Sequence, residues 1–343
     1  MDGERIQAIL KVIQFMSNEF LKFSPDRKKQ ILEGADPVLG IKPYYLEKDI
    51  WICWVLKELF SLPKRMAFKG GTSLSKCFGL IDRFSEDVDV TIDFREFYPN
   101  LELSKETKNS LKTKRERIKE EVNNYIINTV IPALQNAFTA EFNESLNYKF
   151  DDGEKLYFYY PSVFNPKVDD YVKNNVLIEF GGSNKTEPNE EQIVKPYLDF
   201  DGMILPTAKV LVYSPLRTFW EKVTLIHVEC HRGRLTEAPD RLSRHWYDLA
   251  MLSKSWVKTD ALEGKVLLND VLQVKKAFFN ASYANYDKCE NKEFRLIPNN
   301  DEINKLETDY FRMIDAGMFL NVPDGFDAVI EELIRLQELL NQD

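Results

Sequence analysis

The chain has 343 residues and a formal net charge of −9, so its surface as a whole is not suited to nucleic acid, although a local basic patch remains open. Hydrophobic residues make up 44% of the sequence, which predicts a folded globule with a large core rather than a disordered chain. No run of about 18 apolar residues occurs, so no membrane span is expected. The acidic start lacks the pattern of a secretion signal, and four widely spaced cysteines predict free thiols in a reducing cytoplasm.

The N-terminal region has a helical pattern. Apolar residues at helical spacing predict an amphipathic helix over 3–23, which Ser24-Pro25 ends. The same Pro25 is suited to start a second, short helix. A longer helix is predicted over 46–61, where apolar residues lie along one face. Residues 1–45 are therefore assigned to an N-terminal helical extension.

The most informative segment of the chain follows that helix. Strands are predicted over 65–69 and 87–93, with a glycine turn and a helix over 72–80 between them. Glycines at a turn let backbone N–H groups approach a phosphate, and the helix N-terminus that follows favours negative charge. Lys76, further along this helix, is a possible additional basic contact. We therefore expect nucleotide phosphates to bind at Lys69, Gly70, Gly71, Thr72 and Ser73.

The second of these strands carries Asp87 and Asp89. Residues two apart on a strand point to the same face, so the two carboxylates converge and repel each other unless a cation lies between them. Oxygen ligands of this kind suit Mg²⁺ that is held together with substrate phosphates. The other Asp-x-Asp pair, Asp199 and Asp201, has no upstream glycine turn and precedes Gly202, so it predicts only a turn or a strand end. The spacing of the glycines also excludes a Walker A loop.

A long helix is predicted over 104–140. Its first half, Ser104 to Glu121, is crowded with lysine and arginine, and glutamates are interleaved among them. This pattern favours a solvated face with pairs of opposite charge one helical turn apart. The alternative is an edge that contacts phosphates of RNA or of a triphosphate. Both interpretations remain open on the sequence.

The next segments predict strands over 155–160 and 174–181, with a loop over 183–192 after Gly181-Gly182. Residues 193–213 contain turn and strand material, and the pattern from 215 onward is mostly helical. The predicted fold is therefore α+β. Its two main parts are an α/β core over 46–213 and a helical C-terminal domain over 214–343.

The motif over residues 68–90 resembles the nucleotidyltransferase superfamily of DNA polymerase β. The signature of that superfamily is a Gly-Gly or Gly-Ser turn on a short helix, then Asp-x-Asp on the next strand. The version here, Lys-Gly-Gly-Thr-Ser-Leu-Ser-Lys followed by Arg-Phe-Ser-Glu-Asp-Val-Asp, resembles the AbiEii toxin family more closely. The segments 217–222 and 244–249 resemble the third and fourth motifs of that family, and further similarity at 46–49 and 309–313 extends the resemblance over about 45 to 335.

The resemblance also implies roles for residues outside the first motif. Lys222, on a helix, matches a lysine that points into the cleft and holds the triphosphate. Asp248, on a later helix, matches an aspartate with an acid–base or nucleotide-orienting role, although pairing with Arg241, Arg244 or His245 is the structural alternative. Glu179, the single carboxylate of an otherwise apolar strand, is assigned as the third metal ligand, and a water-facing position is the equal alternative.

The fold that the resemblance implies is a polymerase β-like mixed sheet with a largely helical C-terminal region. The implied activity is Mg²⁺-dependent transfer of a nucleoside monophosphate from a nucleoside triphosphate to a hydroxyl of RNA, such as a tRNA 3′ end. The implied biology is growth arrest by a cytoplasmic type IV toxin in phage defence, with a cognate antitoxin as partner. Two alternatives stay open: nucleotide transfer to a small molecule, and nucleotide binding without catalysis in an interaction protein.

Overall fold

The computed structural model describes residues 18–151, 153–164, 173–233, 235 and 241–342. The helix predicted over 3–23 falls mainly outside these residues, and its described end contains a short 3-10 turn at Phe20–Lys22. Within the described part of the chain, no helix combines the length and apolar character that crossing a membrane requires. The helices up to the end of the sheet are α1 (Pro25–Leu39), α2 (Pro43–Phe60), α3 (Gly70–Phe78), α4 (Lys108–Tyr125) and α5 (Ile131–Phe142).

The helices after the sheet form most of the C-terminal half. They are α6 (Pro215–His231), α7 (Ser243–Ser253), α8 (Trp256–Glu263), α9 (Lys265–Phe278), α10 (Tyr286–Glu290), α11 (Asn300–Asp315) and α12 (Phe326–Leu340). Several begin with a local sequence signal: the Ser214 hydroxyl accepts a bond from the Leu216 N–H at the start of α6, as expected of a serine N-cap. The predicted helical C-terminal region is confirmed.

In the part of the chain that the structure describes, seven strands form one mixed sheet. They are β1 (Met66–Lys69), β2 (Asp87–Asp93), β3 (Asn147–Asp151), β4 (Lys155–Tyr159), β5 (Val176–Asn184), β6 (Asn189–Val194) and β7 (Ala208–Tyr213). Their order across the sheet is β3-β4-β5-β2-β1-β7-β6. Strand β2 pairs antiparallel with β1 and parallel with β5. The predicted α+β class is therefore confirmed, and the strand with the two aspartates lies at the centre of the sheet.

Two expectations about the middle of the chain are corrected. Strand β5 continues through Gly181 and Gly182 to Asn184, and β6 occupies part of the predicted loop over 183–192. Gly182 is needed for packing rather than for a turn, because a Cβ atom there would lie 2.6 Å from Ile118 and 2.7 Å from Val122 on α4. A glycine inside a strand often marks such a close approach.

Two further elements differ from their predicted extent. Helix α1 is not short, since it runs for 15 residues and ends at Gly40, which has a positive φ of 65°. Strand β3 was not predicted because it is a mostly exposed edge strand, and such strands lack the apolar alternation that identifies half-buried ones. The long helix over 104–140 is confirmed in outline, with a π-helical turn at Ile126–Val130 between α4 and α5.

Helix α2 is buried along most of its length, and its polar residues hold other parts of the chain. Glu47 accepts bonds from the Ser162 hydroxyl and the Val163 N–H. The Lys48 ammonium lies 2.5 Å from Glu86, and Asp49 lies 2.5 Å from the Lys76 ammonium. Buried charges of this kind are stable only when they are paired. Helix α2 thus fixes both the helix and the loop that border the two aspartates of β2.

Candidate active site

The candidate site begins at Gly70 and Gly71, the glycines of the predicted turn, which form the first two residues of α3 directly after β1. Gly70 has a φ of +81°, and a Cβ atom there would lie 2.3 Å from the Asp89 carboxylate. Only glycine meets both conditions, because other residues rarely adopt this conformation and all of them carry a Cβ. The turn therefore brings the N-terminus of α3 directly against the second aspartate of β2.

A row of four charged side chains crosses the sheet at this point. In the strand register, Asp89 lies opposite Lys69 of β1 on one side and opposite Glu179 of β5 on the other. Glu179 in turn lies opposite Lys155 of β4. Paired residues on neighbouring strands share a face of the sheet. Asp87 lies two residues before Asp89 and shares this face too. The structure thus brings Lys69, Asp87, Asp89 and Glu179 together on one face.

The partners of these carboxylates differ. The Glu179 carboxylate lies 2.5 Å from the Lys155 ammonium, in a pair that is partly open to solvent. Asp87 lies 3.4 Å from the Arg244 guanidinium. Asp89 forms no ion pair or hydrogen bond through its side chain with any residue of the described ranges. The most central carboxylate of the row is therefore the one that has no direct side-chain partner among the described residues.

The pKa of Asp89 reflects this position. The pKa of Asp89 is raised to about 7 by burial and by the carboxylates of Glu179 and Asp87, whereas Lys69 and Arg244 act against the rise. A carboxylate that is crowded by other carboxylates is costly to ionise. A cation that bound here would remove that cost.

The donor set suits Mg²⁺ that is shared with a substrate. Asp87 and Asp89 are half-buried rather than sealed, so both remain open to a ligand. Across the described ranges, no group of three or more His, Cys, Asp or Glu side chains is arranged to hold a metal ion. Mg²⁺ commonly takes one or two carboxylates from the protein and completes its shell with phosphate and water. The assignment of Glu179 as a third ligand stays a prediction.

The predicted phosphate-binding residues all lie at the start of α3. The Thr72 hydroxyl donates to the backbone carbonyl of Asp87, and the Ser73 hydroxyl donates to that of Gly70. Both residues are buried, backbone included, whereas Gly70 and Gly71 are partly exposed, so the two glycines are the residues of this turn that are open to a phosphate. Lys69 precedes the turn and forms no ion pair with a described residue. Lys76 is buried against Asp49 and is thereby occupied.

The other two predicted residues, Lys222 and Asp248, form a buried ion pair. The Lys222 ammonium lies 2.8 Å from Asp248, which is fully buried. Arg83 binds the same carboxylate through two nitrogens at 2.7 and 2.8 Å. The two cations hold the pKa of Asp248 well below its usual range despite its burial. Asp248 is therefore ionised and carries three bonds at neutral pH.

Arg83 is the residue that the sequence analysis missed. It lies only four residues before Asp87, in the segment that carries the family resemblance, but nothing local indicates that it pairs with Asp248. Of the three neighbours predicted as alternative partners of Asp248, the two arginines bind other carboxylates. Arg241 lies 2.7 Å from Glu86, and Arg244 lies beside Asp87.

Comparisons with known proteins bear on the chemistry of this site. A family model described as nucleotidyl transferase AbiEii toxin, type IV TA system, matches residues 54–332, a range that includes every candidate residue named above. Among solved structures, the chain is similar to MenT4, a nucleotidyltransferase toxin from Mycobacterium tuberculosis H37Rv. The two share 17% sequence identity with a TM-score of 0.42 over 93% of this chain and 98% of that one. No curated protein matches the chain.

Proposed function

The chain belongs to the AbiEii family of nucleotidyltransferase toxins of type IV toxin–antitoxin systems, and from this premise we propose its substrates and site. We propose that it moves a nucleoside monophosphate from a nucleoside triphosphate to a hydroxyl of RNA, and that Mg²⁺ assists. Membership of the family also implies a cognate antitoxin as partner.

One observation carries the proposal: two converging carboxylates meet the N-terminus of a helix at a glycine turn. Asp89 lies against Gly70, and Asp87 lies on the same face of β2. The helix that begins at Gly70 has no side-chain cap at its N-terminus, so the N–H groups of its first turn are available to an anion. A carboxylate pair beside an anion site is suited to a cation and a triphosphate together.

The residues of the chain have separate tasks in this proposal. The first-turn N–H groups of α3 and the Lys69 ammonium bind the phosphates that leave. Burial lowers the pKa of Lys222, whereas Asp248 and, to a smaller extent, Asp89 act to raise it, so Lys222 lies within electrostatic reach of Asp89. Its ammonium stabilises the charge that develops on the leaving phosphates. Asp87 and Asp89 would hold Mg²⁺, which when bound neutralises phosphate charge and orients the triphosphate.

The bonds that change are those of an in-line displacement. The acceptor oxygen forms a bond to the α-phosphorus, and the bond from that phosphorus to the bridging oxygen breaks. Pyrophosphate leaves with the electron pair, and the proton of the hydroxyl passes to solvent. The residues named above contribute positioning and charge rather than covalent chemistry.

A groove beside the site supports RNA as the acceptor. It encloses about 350 Å³ between α4, α6 and the end of α9. The Arg115 guanidinium and the Lys275 ammonium lie 5.1 and 5.0 Å from the ring centre of Phe279, and Arg232 lies 5.2 Å from that of Tyr283. Lys275 forms no ion pair with a described residue. Arg232 is paired with Glu229, which also lines the groove. Aromatic rings beside cations suit unstacked bases and their phosphates.

The cellular setting follows from these substrates. Nucleoside triphosphates and RNA meet in the cytoplasm, and modification of RNA that is needed for translation would arrest growth. A toxin of this kind is suited to phage defence, because arrest of an infected cell limits phage production. We propose this role together with the reaction.

The test is transfer of label from each α-labelled nucleoside triphosphate to total RNA with Mg²⁺. We expect label in RNA, no transfer with EDTA, and loss of both transfer and toxicity in Asp87→Ala and Asp89→Ala. We expect the losses to be at least about 1000-fold. Asp199→Ala, in the exposed second Asp-x-Asp pair, is the matched control and should keep full activity.

Other outcomes assign the other functions. Label that enters only small molecules would identify a small-molecule nucleotidyltransferase. Tight binding of a triphosphate with no transfer and no toxicity would identify a binding protein without catalysis. Full activity of Asp89→Ala would remove the carboxylates from the mechanism.

A further inference from the structure

Gly70 and Gly71 both need to be glycine, but for different reasons. The φ of Gly70 is +81°, whereas that of Gly71 lies outside the left-handed range. Its backbone would therefore accept any residue. A Cβ atom at Gly71 would nevertheless lie 2.5 Å from Nη2 of Arg83 and 3.0 Å from the Ser85 hydroxyl. The second glycine thus makes room for the Arg83 guanidinium.

The Arg83 guanidinium has little freedom to yield. Its side chain is 3% exposed. Its Nε and Nη2 atoms donate to the two oxygens of Asp248, and its Nη1 atom donates to the Phe84 carbonyl at 3.2 Å. A planar guanidinium with two parallel bonds to a carboxylate is fixed in direction as well as in distance. Movement of this group away from Gly71 would break the fork, that is, the two parallel hydrogen bonds from Arg83 to Asp248.

The Asp248 carboxylate passes this restraint to Lys222. Its Oδ2 atom accepts from both Nη2 of Arg83 and Nζ of Lys222, each at 2.8 Å. With three donors on one buried, ionised carboxylate, Asp248 has no free role as an acid. Its position fixes the ammonium that the proposed reaction places on the leaving phosphates.

We propose that Arg83 is the positioning residue of the site, seated against Gly71 and acting through Asp248 on Lys222. This inference rests on the proposed function for its kinetic consequences. It assigns the two glycines different tasks: Gly70 admits the carboxylate that faces the cation, and Gly71 admits the arginine that aligns the lysine. The glycine turn and Lys222, about 150 residues apart in sequence, are thereby held in a fixed position relative to each other.

The test is a pair of double-variant cycles. We expect Arg83→Met to lower kcat about 100-fold with little change in KM for the triphosphate, since the lysine is misplaced rather than removed. Arg83→Lys should restore little, because an ammonium cannot form the fork. In a Lys222→Met background, adding Arg83→Met should lower kcat by less than about threefold, because the residue through which Arg83 acts is absent.

The second cycle combines Gly71→Ala with Arg83→Met. Gly71→Ala should lower kcat at least about 10-fold in the wild-type background and have little effect once the guanidinium is gone. Gly34→Ala is the matched control, because a Cβ atom at this exposed position on α1 meets nothing within 4 Å. Equal losses from Gly71→Ala in both backgrounds would mean that Gly71 serves the phosphates directly, and full activity of Arg83→Lys would mean that the fork is not needed. Either result overturns the inference.

Melting temperatures of the same variants separate this inference from the proposed function. Gly71→Ala should lower Tm by about 4 °C with Arg83 present and by little without it. If the wild-type protein transfers no nucleotide, the proposed function fails, and this thermal coupling still decides whether Gly71 seats Arg83. A Tm loss that is the same in both backgrounds would overturn the seating itself.

Discussion

Asp89 and Asp248 are two aspartates of one site with opposite surroundings. Asp248 receives three bonds from Arg83 and Lys222, and its pKa is lowered. Asp89 has Asp87 and Glu179 as its carboxylate neighbours, and its pKa is raised to about 7. Because both residues are the same chemical group, the difference comes only from what the fold packs around them.

The difference separates structure from ligand binding. The protein itself supplies the positive charge around Asp248, as it does for Asp49 and Glu86. Around Asp89, Lys69 and Arg244 offset only part of the effect of burial and of the Glu179 and Asp87 carboxylates, so a bound cation would supply the compensation that is missing. Carboxylates whose surroundings push their pKa values apart have different tasks. Four predictions test this division, from the largest expected effect to the smallest.

The largest effect is expected from Asp248→Asn, because it leaves two buried cations without their anion. We expect the free energy of unfolding to fall by about 5 kcal/mol, the upper end for a broken buried ion pair. Denaturant titration measures the change. Asp199→Asn, at an exposed position, should change stability by less than about 0.5 kcal/mol. A loss below about 1 kcal/mol in Asp248→Asn would mean that Arg83 and Lys222 do not depend on Asp248 for their charge compensation.

A smaller loss is expected at the pair below the glycine turn. Lys76→Met leaves one anion, Asp49, buried beside a single backbone donor, the Tyr197 N–H. We expect a loss of about 3 kcal/mol. The double variant Asp49→Asn with Lys76→Met should recover more than half of it, since no buried charge then remains. Equal losses in the single and double variants would contradict compensation as the reason for the pair.

The opposite sign is expected at Asp89. A carboxyl whose folded pKa is raised to about 7 favours folding when protonated, so this stability is lost as pH rises from its unfolded pKa near 4 to about 7. Without divalent cations, Asp89→Asn should therefore be more stable than wild type at pH 8 by about 1–2 kcal/mol, a value reduced for half-burial. The gap should shrink toward pH 5 in thermal melts. If the stability of the two proteins changed with pH in the same way, the pKa of Asp89 would not be raised in the folded state.

The smallest effect on stability is expected at Glu179. Its pair with Lys155 is partly exposed, so Glu179→Gln and Lys155→Met should each change stability by less than about 1 kcal/mol. If Glu179 is the third metal ligand, Glu179→Gln alone should lower transfer about tenfold or more and raise the Mg²⁺ concentration needed for half activity. Lys155→Met is its matched control. Equal activity of the two variants would assign Glu179 to the surface pair.

Much of the fold follows from local pattern. The strand with Asp87 and Asp89 has the bounds that alternation predicts, and the glycine turn lies where the sequence places it. The errors of the sequence prediction occur where the same residue type can form a turn or allow close packing. Gly181 and Gly182 suggest a turn, but Gly182 is glycine because α4 packs on β5. The domain divisions after residues 45 and 213 stay predictions.

The sequence by itself determined that two carboxylates share a face beside a glycine turn, and that a lysine and an aspartate follow on later helices. Those features depend on backbone geometry within a few residues, which adjacent amino acids dictate. Only the tertiary structure decided that Arg83 binds Asp248, 165 residues away, and that Asp89 lies where burial and neighbouring carboxylates raise its pKa. Charge pairing inside a protein depends on which elements pack together and exclude water, and no spacing along the chain encodes that directly.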